Sequence, residues 1–194
     1  MLSTERCSNY SEQQIKEIES DIKAGMTEEQ AFYCQRPCYT FPQRCQIRLA
    51  FSQKLTKNQI ALLDNTDFSW DQMYQIRTGL VGGIPIEKVR IYADQRFTDI
   101  QMHMIRNCIE KNASSEYLKI IANPEFTHEQ MFVIQDGIEK KLPVEKIKLY
   151  AKPEFTHAQM REIFEGILSD LSIHQIRILS LIHISEPTRQ EAIS

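Results

Sequence analysis

Phe126-Thr127-His128-Glu129-Gln130-Met131 and, 29 residues on, Phe155-Thr156-His157-Ala158-Gln159-Met160 decide the fold of this chain. Each stretch writes an aromatic residue, then a hydroxyl residue, then Gln three positions further. The same frame opens at Tyr10, Tyr39, Phe68 and Phe97, so the aromatic residue recurs every 29 residues without insertion or deletion. A period in this range, kept this strictly, marks stacked repeats, because a unit of that length cannot bury its apolar face alone.

Thr127 with Gln130 has the spacing of a capping box, and so have Ser11/Gln14, Thr40/Gln43, Ser69/Gln72, Thr98/Gln101 and Thr156/Gln159. Apolar residues then follow at helical spacing: Met131, Ile134 and Ile138 share one stripe. The Ile134 position is Ile in all six units, at 18, 47, 76, 105, 134 and 163. Three residues later stands Asp21, Ala50, Gly79, Cys108, Gly137 or Gly166, mostly small, which predicts close approach of another helix. The first helix should end near Lys140 or Lys141. Thr27, Thr56, Pro85, Ser114, Pro143 and Ser172 then start a second, shorter one, as caps or as Pro in the first turn. Pro37, Pro124 and Pro153 resist its continuation. The expected fold is all-α: a right-handed α-solenoid of six two-helix repeats with no β-sheet. The repeats start at residues 10, 39, 68, 97, 126 and 155 and fill 10–178, after a lead-in over 1–9.

Hydrophobic residues at 42% and charged residues at 25% fit a globular chain and exclude a disordered one. Apolar runs are too short to span a bilayer, and the first residues lack the apolar core of a signal peptide, so a cytoplasmic protein with no membrane contact is expected. The net charge of −3 implies neither a polyanionic partner nor an acidic substrate. Cys7, Cys34, Cys38, Cys45 and Cys108 are odd in number and irregular in spacing, unlike a disulfide framework. Cys34 aligns with Leu63, Tyr92, Ile121 and Tyr150 and reads as core. No metal and no cofactor are expected.

Two resemblances add to this reading. Residues 179–189, Leu-Ser-Leu-Ile-His-Ile-Ser-Glu-Pro-Thr-Arg, resemble the translation of a transposase sequencing adapter, so 179–194 are set aside as an artefact tail. The stretch Phe126 to Met131, with Tyr150-Ala151-Lys152-Pro153-Glu154-Phe155 and Ile76-Arg77-Thr78-Gly79-Leu80, resembles an uncharacterised bacterial tandem helical repeat family over residues 10–178. That resemblance implies architecture alone, with no catalytic residues.

For function, the informative positions lie one, five, eight and twelve residues after each first cap, on one helix face beside the core stripe. They hold Trp70, Tyr74, Arg77, His103, Arg106, His128 and Phe132, flanked by Phe41, Arg48 and Phe164. Stacking would align them into a ladder of aromatic and Arg residues, types enriched where proteins bind one another. The alternative for Tyr74 and Phe132 is packing between repeats. His128 and His157 share a register with Glu12, Phe41, Trp70 and Asp99, so nothing chemical is kept there. No nucleophile, base and orienting group can be assembled, and no enzyme is expected. The leading expectation is a non-catalytic scaffold for an unknown protein or peptide. Alternatives are single-stranded nucleic-acid binding through Arg48, Arg77 and Arg106, or a spacer or targeting arm of a larger truncated protein. Weak self-association through uncapped ends is also expected.

Overall fold

A computed structural model describes residues 10–172, 174–176 and 178. Among these, all regular structure is helical and no strand occurs. Each repeat opens with a twelve-residue helix: α1 Glu12–Lys23, α3 Phe41–Ser52, α5 Trp70–Val81, α7 Asp99–Glu110, α9 His128–Glu139 and α11 His157–Leu168. Seven-residue helices follow at α2 Glu28–Cys34, α4 Lys57–Leu63, α8 Ser115–Ile121 and α10 Val144–Tyr150. The second helix of the third repeat, α6 Ile86–Val89, is only four residues long. The lead-in 1–9, with Cys7, and the adapter-like tail lie outside the described residues.

All six long helices begin in the expected capping box, with the cap hydroxyl and the Gln side chain bonding reciprocally to backbone N–H groups. Capping boxes also start α2 and α4, from Thr27/Gln30 and Thr56/Gln59. Pro85 and Pro143 stand at the N-cap itself rather than in the first turn. Ser114 makes no side-chain cap bond, and the third helical position holds Tyr117, whose hydroxyl donates to the Leu142 carbonyl at 2.8 Å, in place of a Gln that could complete a capping box.

The long helices also end alike. Past each C-cap comes a residue with positive φ: Gly25, Lys54, Gly83, Asn112, Lys141 and Asp170, again in the 29-residue register. The next N–H reaches back to a carbonyl of the last turn, as Leu142 N–H does to Gly137 O at 3.0 Å, closing a Schellman motif. Only two of the six are Gly, so four side chains carry the left-handed penalty of about 1–2 kcal/mol.

The core follows the sequence register. All six repeat Ile side chains are fully buried, and so are Tyr39, Phe68, Phe97, Phe126 and Phe155, while Tyr10 is half-buried. The close approach predicted at the small position is made by the second helix of the same hairpin. A Cβ on Gly137 would lie 2.0 Å from the Tyr150 hydroxyl oxygen.

The chain divides into two compact units, Met1–Gln95 and Arg96–Ser194, each containing three repeats of the register. Within each unit the capping Gln has a second task. Its Oε1 closes the capping box, while its Nε2 donates to the loop that enters the next repeat. Gln43 donates to Thr66 O at 3.1 Å and Phe68 O at 2.7 Å, and Gln72 to Gln95 O at 3.2 Å. Gln101 reaches Pro124 O and Phe126 O, and Gln130 reaches Pro153 O and Phe155 O. Glu would serve the cap equally well but has no N–H to give, which is a physical reason for Gln in every repeat.

Candidate functional site

In the unit of residues 1–95, α3 and α5 pack side by side. The Gln43 bond to Phe68 O places their N-termini at the same height. Phe41 and Trp70, each one residue past its cap, therefore stand level on neighbouring helices. They are 54% and 47% exposed, and Tyr74, one turn along α5, is 43% exposed. Leu49 and Val81 continue the exposed apolar surface towards the C-terminal ends. Among the other described residues, exposed large apolar side chains are distributed one to an element. Trp70 and Tyr74 rings therefore face outward, with the indole N–H and phenol hydroxyl making no hydrogen bond among the described residues.

The arginines of the proposed ladder behave differently. Arg48 on α3 turns back to α1, with Nη2 3.1 Å from Glu17 and Nε 2.8 Å from an Asp21 carboxylate oxygen. Burial opposes its charge, but the bonds to Asp21 and Glu17 prevail and hold its proton more firmly than usual. Arg77 on α5 is only 7% exposed and turns back to α3. Its Nε donates to Gln46 at 2.9 Å and its Nη1 to Gln53 at 2.6 Å. Burial lowers its pKa from the usual Arg value, since both partners are neutral amides. These side chains join repeats; they are not offered to a ligand.

In the unit of residues 96–194, Arg106 is buried too, bonded to Glu110 at 2.6 Å and in contact with His103 Nδ1 at 2.8 Å. Phe164 is buried, its ring edge-on to Tyr150 with centroids 5.9 Å apart. His103, His128 and Phe132 are exposed, and His128 Nε2 lies 3.0 Å from the Glu129 carboxylate. Of the ten ladder positions, then, Phe41, Trp70, Tyr74, His103, His128 and Phe132 face outward. Arg77, Arg106 and Phe164 are buried, and Arg48 is tied into an ion-paired seam. All four stand eight residues past the cap, a position where Arg48 and Arg77 reach back to the preceding repeat and Phe164 packs on Tyr150.

Two features escaped the sequence reading. The 31-residue spacing of Glu17 to Arg48 and of Gln46 to Arg77 is the signature of the seam, an acceptor in one repeat and an Arg in the next. The second is a polar cluster around Asp64, which accepts from the Tyr33 and Tyr39 hydroxyls and from Arg36. Burial pushes the Tyr33 hydroxyl up to about 12, with Asp64 adding to the effect. For Asp64 burial works the other way from its three donors, and the donors prevail, holding the carboxyl below its usual range. The cluster joins the first two repeats and is confined to them, because the residues in the Asp64 register are Ala93, Ala122 and Ala151 later in the chain.

Furrows between repeats recur. Thr27, Gln30, Tyr33, Phe51, Leu55 and Ile60 line one of about 500 Å³, and its counterpart in the other unit, about 590 Å³, includes Ser114, Tyr117 and Ile138. Lys111 and Glu139 pair at 2.6 Å at the margin of the second. Cys34 and Cys108 are buried, Cys38 exposed and Cys45 half-buried. Among the described residues no group of three or more His, Cys, Asp or Glu side chains is placed to hold a metal ion, and no helix is long and apolar enough to cross a membrane. Compared with protein-family models, curated proteins and solved structures, the chain finds no match.

Proposed function

We propose that the chain is a non-catalytic binding scaffold, an α-solenoid of six stacked hairpins whose long helices present a protein- or peptide-docking face. The observation that carries this reading is the cluster of Phe41, Leu49, Trp70, Tyr74 and Val81, all between 41% and 54% exposed on one face of two adjacent helices. Scattered single apolar side chains on a surface are ordinary, whereas a grouped aromatic patch marks an interaction site. The uninterrupted 29-residue register, with the same start and the same stop six times, supports stacking in one right-handed array. An enzyme is not proposed, since among the described residues no nucleophile, base and orienting group are seen to converge.

Docking of protein is favoured over nucleic acid by what the arginines do. Arg48 is neutralised by Glu17 and Asp21, Arg77 is buried on amides and Arg106 is bonded to Glu110. A phosphate backbone needs exposed cations along its path.

The experiment is a paired capture from a native lysate by the full chain and by a Phe41→Ser, Trp70→Ser, Tyr74→Ser variant, with circular dichroism as the folding control. The reading expects a defined partner retained by the first and lost by the second. Identical captures would remove the α3–α5 face from the function.

A further inference from the structure

The chemistry of the docked segment can be read from charges beneath the aromatic face, an inference that rests on the docking reading above. Between them α3 and α5 carry Arg44, Arg48 and Arg77 but a single carboxylate, Asp71. The long helices of the other unit have the opposite sign: α7, α9 and α11 hold two Arg against seven Asp and Glu. Arg48 is offset by its two carboxylates on α1. Arg44 and Arg77 make no ion pair among the described residues. The Arg44 guanidinium lies 5.8 Å from the centre of the exposed Phe41 ring, and its bond goes to the Tyr39 carbonyl at 3.0 Å. The Arg77 guanidinium lies 5.5 Å from the Tyr74 ring, and its bonds go to amide oxygens.

A guanidinium keeps its proton, so both positive charges persist, and partial burial in a low-dielectric surround lets their field reach the surface. The Trp70 indole N–H and Tyr74 hydroxyl, which make no hydrogen bond among the described residues, add two donors on the same face. Donors, cations and aromatic rings together fit one kind of ligand. We infer that the α3–α5 face binds an acidic peptide segment of a partner protein. Its apolar side chains pack on Phe41, Trp70 and Tyr74. Its carboxylates accept from the Trp70 indole, the Tyr74 hydroxyl and the half-buried Arg44, while Arg77 acts through its field. A nucleic acid fits less well, because none of the three arginines on these helices is fully exposed.

Trp70 is the only Trp of the chain and reports directly. The full chain is titrated with a random Glu–Tyr copolymer, a Lys–Tyr copolymer, poly-Glu and poly(U), exciting at wavelengths that spare Tyr. The expected result is a blue shift and acrylamide protection of Trp70 by the Glu–Tyr copolymer, weakening with salt. Lys–Tyr copolymer and poly-Glu should bind at least about tenfold more weakly. Arg44→Gln should weaken the Glu–Tyr interaction about five- to tenfold, and Phe41→Ser with Tyr74→Ser should abolish the shift while the far-ultraviolet spectrum stays unchanged. Equal binding of the Lys–Tyr copolymer would overturn the acidic assignment and leave the docking face standing. Response to poly(U) alone, to no probe, or burial of Trp70 by self-association before any probe is added would overturn both.

Discussion

Residues 10–95 and the repeats that follow Arg96 are cut from one pattern and turn different surfaces outward. In both units the long helix starts in a Ser/Thr–Gln box, buries Ile and an aromatic residue, and stops at a left-handed position. In the first unit the joins between repeats are polar: Arg48 with Glu17 and Asp21, Arg77 with Gln46 and Gln53, and Asp64 with two tyrosines and Arg36. In the second the ion pairs between repeats, Lys111 with Glu139 and Arg161 with Asp136, are more exposed, while Met102, Met104, Val133, Tyr150 and Phe164 are buried. Outward, the first unit offers Phe41, Trp70 and Tyr74 beside Arg44 and Arg77, which make no ion pair among the described residues, and the second offers Phe132 on a helix that carries Glu129, Asp136 and Glu139. Framework positions fix the backbone, so the seam and the outer face are free to diverge.

The largest effect should come from removing a framework ring. Phe126→Ala leaves a cavity in the second unit and should destabilise it by roughly 3–5 kcal/mol, read by urea unfolding with hydrogen exchange locating the loss. A loss no greater around Phe126 than elsewhere would contradict its place in the buried core of that unit. Next is Gln130→Glu, which keeps the cap but sets a buried carboxylate against the Pro153 and Phe155 carbonyls. A cost of roughly 2–4 kcal/mol at neutral pH is expected, shrinking in acid as the neutral carboxyl regains a donor. Equal stability of the Glu variant would refute the dual role of this side chain.

Acid should separate the units. At Glu17 burial is outweighed by bonds from Gln35, Arg48 and Gln13, and at Asp64 by its three donors, so both carboxyls are held below their usual range. The unfolded chain binds protons there first, so the stability they contribute is present above about pH 4 and disappears as pH falls through the depressed folded values. Glu139, held down chiefly by its Lys111 bond, and Glu129 are exposed and screened, so they contribute less. Hydrogen exchange across an acid titration should show the first unit opening first; simultaneous opening would count against the polar-seam account. The smallest effect belongs to the shared backbone: Lys54→Gly and Lys141→Gly should each gain about 0.5–1 kcal/mol in thermal unfolding, equally in both units. A loss at either would deny the left-handed stop.

Much of this frame was legible in the sequence. The six caps, the buried Ile and aromatic positions and the small residue at Gly137 follow from spacing and residue type. The left-handed stops were hidden because Lys54, Asn112, Lys141 and Asp170 fill positions where Gly is the usual signal. The face was legible only in part. Positions one and eight residues past the cap differ by a small angle around the helix, too little for periodicity to tell the outer surface of Trp70 from the buried seam of Arg77. What separates them is the neighbouring repeat, visible in sequence only through the 31-residue pairing of acceptor and Arg.

Hydroxyl-radical footprinting of the intact chain, read residue by residue by mass spectrometry, puts the central claim to its most direct test. The account predicts strong labelling of Phe41, Trp70, Tyr74 and Phe132, with Phe68, Phe97, Phe126, Phe155 and Phe164 protected. Comparable labelling of the two sets would contradict a common buried frame carrying a distinct aromatic face.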